Sequence, residues 1–265
     1  MRATINHLNL EYRDQGSGEP VIFIHAFPLN QTMWDEQVAA LSHRCRAITL
    51  DLRGFGGSDV ADGPSTMEQM AADVRGLMSA LKIERATLVG LSMGGYVSLA
   101  FYREYPDALR ALVLADTRAS ADTHAARERR LHSAERAERQ GAAAIADDMV
   151  PLLLGHTSQQ TRPDIAARVR AMIEGNSPEG IAAAQRGMAA RRDSTYILAA
   201  IDFPTLIVVG AEDGLTPVAE AEALRDGIRG ARLQIIDGAG HLSNLERPQE
   251  FNAALIEFID SLAAE

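Results

Sequence analysis

The stretch Thr87–Leu99, TLVGLSMGGYVSL, joins an apolar run to a segment with a helical pattern. Residues 86–91 form a short apolar run, which is typical of a β-strand buried on both faces. The helical pattern begins at Met93. Between the two lies GLSMG, residues 90–94, where glycines on both sides of Ser92 let the backbone turn sharply and project the hydroxyl from the tip. The stretch therefore predicts a strand, a tight turn and a helix, with Ser92 as a candidate nucleophile.

The alternative interpretation is a glycine-rich turn whose serine only caps the following helix. Two features favour the nucleophile: the apolar run before the serine, and the small Gly94 and Gly95 in the first helical turn. A serine hydroxyl is a poor nucleophile until a base removes its proton, and a histidine base needs a carboxylate to orient it. The prediction therefore requires a histidine and an acidic residue elsewhere in the chain.

Strand patterns alternate with helical patterns along most of the chain. Residues 2–13 alternate apolar and polar side chains like a pair of strands. Further strand patterns follow at 21–25, 46–50, 86–91, 110–115, 204–209 and 232–236. Strands that alternate with helices form mostly parallel sheets with right-handed crossovers. The pattern predicts an α/β fold with a mostly parallel eight-stranded sheet flanked by helices.

The alternation stops between Asp116 and Ile201. Helical patterns alone occur there, over Thr123–Gln140, Ala142–Leu154, Pro163–Gly175 and Pro178–Arg191. A helical insertion after a strand end would lie over the edge where open α/β sheets place their sites. We therefore predict a core domain made of residues 1–117 and 201–265. Residues 118–200 are predicted to form a helical cap, or lid, inserted after the sixth strand.

An aspartate and a histidine follow the last two predicted strands. Asp213 lies in GAEDGLTP, residues 210–217, and His241 lies in GAGHL, residues 238–242. Both loops follow the carboxyl end of a strand, so we expect both side chains at the edge of the sheet that carries Ser92. The order serine, aspartate, histidine fits a catalytic triad.

Other residues could supply these groups. Glu212 and Asp116 are alternatives for the acid, because each also follows a predicted strand. Asp213 could also be only a turn residue before a helix capped by Thr216, with Pro217 at its first position. The histidine has fewer rivals, since most other histidines lie in the cap or outside the loops at strand ends.

A carbonyl attacked by serine becomes an oxyanion, which two backbone N–H groups should stabilise. We expect one from Met93, which follows the candidate nucleophile, and the other from Phe27, in the loop after the third predicted strand. Apolar side chains of the cap and of nearby loops predict an apolar substrate pocket, although each of them could instead pack only against its own surroundings. The candidate pocket residues are Trp34, Met149, Leu153, Met172 and Met188.

Three loop segments carry a family resemblance. Residues 25–28, HAFP, resemble a His-Gly-x-Pro oxyanion loop; residues 51–58, DLRGFGGS, resemble a D-x-R-G-x-G-x-S loop; and residues 241–248, HLSNLERP, resemble a terminal histidine segment. With the GLSMG turn, the sequence resembles the α/β-hydrolase superfamily, in its small lid-bearing carboxylesterase, 3-oxoadipate enol-lactonase-like and cofactor-free haloperoxidase group. Ala26 stands where that group usually has glycine. The resemblance implies the α/β-hydrolase fold and a structural role for His25.

Composition and charge exclude several classes of protein. The formal net charge of −10, without a basic patch, argues against a nucleic-acid partner. No apolar stretch approaches the length that spans a bilayer, so we expect no membrane partner. The seven histidines show no H-E-x-x-H or similar spacing, which argues against a zinc hydrolase; we expect no metal and no cofactor. Cys45 is the single cysteine, and the N-terminus lacks the apolar core of a signal peptide, so we expect a cytoplasmic protein.

These residues predict a serine hydrolase that cleaves carboxylic esters of short to medium acyl chain through an acyl-enzyme on Ser92. The expected partner is a small-molecule ester or lactone. An enol-lactonase, a perhydrolase and a ligand sensor with slow turnover are alternatives. An anionic lactone would need a cation in the pocket, and the cap offers arginines, among them Arg127, Arg130, Arg186 and Arg191. A homodimer is a possible assembly, because the sequence does not indicate an oligomeric state.

Overall fold

One sheet of eight strands runs through residues 1–262, the part of the chain that the computed structural model describes. The strands are β1 (Arg2–Ile5), β2 (Leu8–Gly16), β3 (Pro20–Ile24), β4 (Arg46–Leu50), β5 (Ala86–Leu91), β6 (Leu109–Ala115), β7 (Thr205–Gly210) and β8 (Arg232–Ile236). Their order across the sheet is β1-β2-β4-β3-β5-β6-β7-β8. β2 is antiparallel to β1 and β4, and the other neighbouring pairs are parallel. The predicted eight-stranded, mostly parallel sheet is confirmed.

Helices connect the parallel strands. They are α1 (Asp35–Leu41), α2 (Met67–Ala80), α3 (Met93–Glu104), α4 (His124–Leu153), α5 (His156–Thr161), α6 (Pro163–Glu174), α7 (Pro178–Ala189), α8 (Val218–Gly227), α9 (Ser243–Glu246) and α10 (Pro248–Leu262). Short 3₁₀ turns cover Gln31–Trp34, Pro106–Ala108 and Thr195–Ala200. Within residues 1–262, none of the helices combines the length and the apolar character that crossing a membrane requires.

The break predicted within α4 is present, and one other helix boundary differs from the sequence prediction. Gly141 has a φ of 81° and a ψ of 176°, which are not helical, so α4 consists of two helical segments joined at a kink. That positive φ favours glycine. α8 begins at Val218, with Pro217 as its N-cap and not at its first helical position. The reason is that the Thr216 hydroxyl donates a hydrogen bond to Asp213 and therefore does not cap this helix.

The sheet brings the predicted functional loops to one edge. All six residues of β5 are buried, as are all six of β7, because helices and neighbouring strands cover both. The carboxyl ends of parallel strands lie at the same edge of a sheet. The loops after β3, β5, β6, β7 and β8 carry Phe27, Ser92, Asp116, Asp213 and His241.

Helices α4 to α7 occupy the segment between β6 and β7, which the sequence predicts as the cap. α4 packs against α6 and α7, and the buried face of α6 follows the predicted helical spacing. Asn176, at the end of this helix, connects the segment to the core: its side chain donates to the Pro28 carbonyl at 2.8 Å and accepts the Gly56 N–H at 2.7 Å. The helices of this segment are thereby held against the loops that follow β3 and β4.

Candidate active site

The turn between β5 and α3 holds Ser92 in a sparsely populated conformation, with a φ of 55° and a ψ of −112°. Close packing makes this turn depend on the glycines around it. A Cβ on Gly94 would lie 2.1 Å from the Ile24 carbonyl oxygen, and a Cβ on Gly90 would lie 2.3 Å from the Gly94 carbonyl oxygen. The GLSMG pattern therefore has a steric cause, and it presents the Ser92 hydroxyl at the tip of the turn.

Ser92, His241 and Asp213 form one hydrogen-bonded chain. His241 Nε2 lies 2.7 Å from Ser92 Oγ, and His241 Nδ1 lies 2.8 Å from Asp213 Oδ2. All three residues are buried. In this arrangement the serine hydroxyl donates to Nε2 while the Nδ1–H donates to the carboxylate, which is the geometry of a serine nucleophile with its base.

The Asp213 carboxylate is fixed by donors from its own loop. Its Oδ1 accepts the N–H groups of Leu215 at 2.8 Å and Thr216 at 2.9 Å, and its Oδ2 accepts the Thr216 hydroxyl at 2.6 Å. Burial alone would raise the pKa of Asp213, but the His241 ring and these donors hold that pKa below its ordinary value. The side chain therefore favours the anion that orients the histidine.

The alternative acids contact other groups. Glu212 accepts hydrogen bonds from the Thr157 N–H at 2.9 Å and from its hydroxyl at 2.5 Å. Asp116 accepts the Gly210 N–H at 2.9 Å and the Ser243 hydroxyl at 2.5 Å. Burial, and then the nearby charge of Asp213, raise the pKa of Asp116 well above its ordinary value. Asp213 is thus the carboxylate that the structure places against His241.

Two backbone N–H groups are available beside the serine. Within residues 1–262, neither the Phe27 N–H nor the Met93 N–H donates a hydrogen bond, and both residues are buried. Phe27 follows His25, whose Nδ1–H donates to the Ala26 carbonyl at 2.9 Å while its Nε2 accepts the Leu52 N–H at 3.0 Å. Burial lowers the pKa of His25, which favours this neutral, structural ring. The free donors are in the right loops for an oxyanion hole.

A cavity of about 790 Å³ opens beside Ser92 and His241. The predicted pocket residues Met149, Leu153 and Met188 line it, as does Phe27. Leu152, a further apolar side chain of the predicted cap, also lines it, whereas sequence reasoning missed other lining residues, including Tyr96, Leu215, Arg118, Arg129, Asp148 and Glu220. Tyr96 could have been predicted to line the site, because it follows Ser92 by one helical turn. The others lie in loops or on α4 and α8, where the sequence does not show which side of the element faces the cavity.

Trp34 and Met172 do not line this cavity, which corrects the prediction for both. The Trp34 ring is fully buried, with its centroid 5.3 Å from that of Phe23 and 6.1 Å from that of Phe251. It therefore packs β3 against α10 in the core. Met172 lies on the buried face of α6. In both cases the apolar side chain fills the interior of the protein.

A family model described as the alpha/beta hydrolase fold matches residues 19–248. The chain belongs to the α/β-hydrolase family. This α/β-hydrolase is similar to a solved thermophilic esterase from Thermogutta terrifontis, with a TM-score of 0.96, 41% identity and coverage of 99% of this chain and 98% of the other. The enol-lactonase from Burkholderia xenovorans LB400 has a TM-score of 0.92, 31% identity and coverage of 98% and 100%.

A curated relative is also named as an enol-lactonase. The 3-oxoadipate enol-lactonase 2 of Acinetobacter baylyi is 29% identical over 248 residues, which cover 94% of this α/β-hydrolase and 91% of that protein. The relatives and the family together support hydrolase activity for this chain. Within residues 1–262, no group of three or more His, Cys, Asp or Glu side chains is placed to hold a metal ion.

Proposed function

We propose that this α/β-hydrolase cleaves carboxylic esters of short to medium acyl chain through an acyl-enzyme on Ser92. The observation that carries the proposal is the continuous hydrogen-bonded chain from Asp213 through His241 to Ser92 at the wall of the cavity. The similarity to an esterase over nearly the whole chain supports the same reaction class. An organophosphonate that labels serine nucleophiles tests the nucleophile directly, because it should react with Ser92 in the native protein and not with Ser92→Ala.

In the acylation step, His241 Nε2 takes the hydroxyl proton of Ser92 as the oxygen attacks the ester carbonyl carbon. The carbonyl oxygen becomes the oxyanion, and the free N–H groups of Phe27 and Met93 are the donors that would stabilise it. The tetrahedral intermediate collapses, the bond to the alcohol oxygen breaks, and His241 gives its proton to that oxygen. The alcohol leaves, and the acyl group stays on Ser92 as an ester.

In the deacylation step, His241 removes a proton from water, whose oxygen attacks the acyl carbon. The second tetrahedral intermediate collapses when the bond to Ser92 Oγ breaks and His241 returns a proton to that oxygen. A carboxylic acid leaves and the hydroxyl is regenerated. Throughout, the Asp213 carboxylate keeps Nδ1 protonated and stabilises the charged ring.

The lining of the cavity supports a preference for acyl chains longer than acetyl. We expect kcat/KM for p-nitrophenyl butyrate to exceed that for the acetate by roughly tenfold, because each buried methylene contributes about 0.8 kcal/mol. Met149→Ala should reduce this ratio, since Met149 lines the cavity. Leu131→Ala is the matched control, because Leu131 lies on the same helix, is exposed and does not line the cavity.

Initial rates of p-nitrophenol release from the acetate, butyrate and octanoate esters provide the measurement. Equal kcat/KM values for acetate and butyrate would contradict an apolar acyl pocket. A single slow turnover, without sustained hydrolysis of any of the three esters, would contradict the enzyme and favour the ligand sensor.

An enol-lactonase activity is the second candidate, and the charges in the cavity support it. Asp122 pairs with Arg118 at 2.7 Å, with Arg130 at 2.5 Å and with Arg191 at 3.1 Å, so one carboxylate is shared among three guanidinium groups. Arg129 also lines the cavity and has no acidic partner within residues 1–262. A substrate carboxylate could pair with Arg129. The 3-oxoadipate enol-lactonases among the relatives support this candidate.

Replacing Arg129 by glutamine tests whether this residue binds a substrate carboxylate. We expect Arg129→Gln to raise KM for p-nitrophenyl hemiglutarate by roughly tenfold, since a hydrogen bond to a charged group contributes about 1.5–3 kcal/mol and part of it is lost to solvent because Arg129 is exposed. KM for neutral p-nitrophenyl butyrate should change less than about twofold. Arg127→Gln is the matched control, because Arg127 is exposed on the same helix and does not line the cavity. Equal effects on both substrates would contradict a carboxylate-binding role.

A further inference from the structure

The backbone around His241 is held by three consecutive N–H groups. The N–H groups of Gly240 and Leu242 donate to Glu246 Oε1 at 2.8 and 3.2 Å. Between them, the His241 N–H donates to the Leu153 carbonyl at 3.1 Å. The second oxygen of the same carboxylate, Glu246 Oε2, accepts the Gly155 N–H at 2.9 Å. One acidic side chain therefore joins the loop of the base to the end of the cap helix α4.

Glu246 has no exposed surface, and its charge is balanced by the backbone alone. Within residues 1–262, no Lys, Arg or His nitrogen lies within 4.0 Å of its carboxylate. A buried charge without a partner is costly, and it is tolerated where several hydrogen bonds satisfy its oxygens. The N–H groups of Gly155, Gly240 and Leu242 supply those bonds. The buried carboxylate therefore needs both segments for its hydrogen bonds, and it in turn holds the two segments together.

The two joined segments also touch directly. A Cβ on Gly240 would lie 2.1 Å from the Gly155 nitrogen, and a Cβ on Gly155 would lie 2.7 Å from the Gly240 nitrogen. Leu153, whose carbonyl accepts the His241 N–H, is also one of the residues that line the cavity. A ligand in the cavity that displaces Leu153 would therefore also shift the backbone of His241, the catalytic base.

On the basis of the acyl-transfer function proposed above, we propose that Glu246 is a positioning residue that couples His241 to cap residues 153–155. The wall of the pocket and the catalytic base then move as one unit, and occupancy of the cavity sets the alignment of His241 with Ser92. The carboxylate itself contacts neither the substrate nor the reacting atoms.

Glu246→Gln tests this coupling with almost no change in size. Glutamine offers one acceptor oxygen, and its amide N–H₂ faces a backbone N–H whichever way the side chain turns. We expect kcat for p-nitrophenyl butyrate to fall by roughly 10- to 100-fold, since small misplacements of catalytic groups have effects of this size, with KM within about threefold. Glu246→Asp, which keeps the charge, should recover part of kcat. Glu250→Gln, an exposed change in the first turn of α10, is the matched control.

Hydrogen exchange on the native protein tests the coupling without any variant. When a phosphonate occupies Ser92, exchange should slow in residues 153–157 and in residues 238–243 together. In Glu246→Gln, the phosphonate should slow exchange only in residues 238–243. A native protein that the phosphonate does not label would contradict the proposed function. A labelled native protein in which residues 153–157 do not respond, or a Glu246→Gln variant with unchanged kcat, would contradict the coupling alone.

Discussion

Replacing Ser92 by alanine should lower kcat for p-nitrophenyl butyrate by roughly 10⁴- to 10⁶-fold, and His241→Ala should have an effect in the same range. The two side chains act as a unit, because the 2.7 Å hydrogen bond between Ser92 Oγ and His241 Nε2 is the route by which the nucleophile loses its proton. Steady-state rates of p-nitrophenol release measure the effect. The double variant should be about as inactive as either single variant.

Loss of the fold would imitate this result, so stability has to be measured beside activity. Alanine at position 92 removes only one oxygen and leaves the Ser92 backbone hydrogen bond to the Ala115 carbonyl intact. The thermal midpoint of Ser92→Ala should therefore stay within a few degrees of the native value. A folded Ser92→Ala protein that keeps more than a tenth of the native kcat would contradict the nucleophile assignment.

Asp213→Asn should lower kcat at neutral pH by roughly 10⁴-fold, the size of effect known for this change in a serine-protease triad. The amide can donate to His241 Nδ1, which favours the tautomer that carries its proton on Nε2 and removes the base from Ser92. Asp213 also accepts two backbone N–H groups, from Leu215 and Thr216. An asparagine oxygen can keep those two bonds only by presenting its N–H₂ to the histidine, which is the orientation that disables the base.

Two matched variants separate Asp213 from the other acids in its surroundings. Glu212→Gln should lower kcat less than about threefold, because Glu212 bonds to Thr157. Asp116→Asn should lower kcat less than about tenfold, because Asp116 bonds to Gly210 and Ser243 and not to His241. Its amide oxygen can keep the Gly210 N–H and its N–H₂ can donate to the Ser243 hydroxyl, so that only the bond from the Ser243 N–H is lost. kcat and the pH profile of kcat/KM provide the comparison. If Asp116→Asn were as damaging as Asp213→Asn, the assignment of the acid would be wrong.

The sequence predicts the sheet, and it also predicts the three residues that the structure joins by hydrogen bonds, because both depend on local patterns. The GLSMG turn needs glycine at Gly90 and Gly94 for steric reasons, so the pattern reports the turn itself. Asp213 and His241 follow apolar runs that become neighbouring strands, and parallel strands bring the following loops together. The eight strands, and the helical segment after the sixth, could be located in the same way.

Tertiary packing decides which side chains line the cavity and which contacts they make, and these could not be predicted from the sequence. An apolar side chain such as Trp34 satisfies the same pattern whether it lines a pocket or fills the core, and only its contacts with Phe23 and Phe251 show which. Arg129 differs from Arg130 by one position on α4, yet only Arg130 reaches Asp122. The coupling through Glu246 joins residues that are 91 positions apart in the chain, which no local pattern reveals.

Labelling with a p-nitrophenyl alkylphosphonate tests catalysis by Ser92, because the phosphonate reacts with an activated serine and does not turn over. We expect release of one equivalent of p-nitrophenol per protein chain, loss of esterase activity in parallel, and a phosphonate group on Ser92 in the digested protein. Ser92→Ala should release none. Esterase activity that survives complete labelling, or a label on a different residue, would contradict catalysis by Ser92.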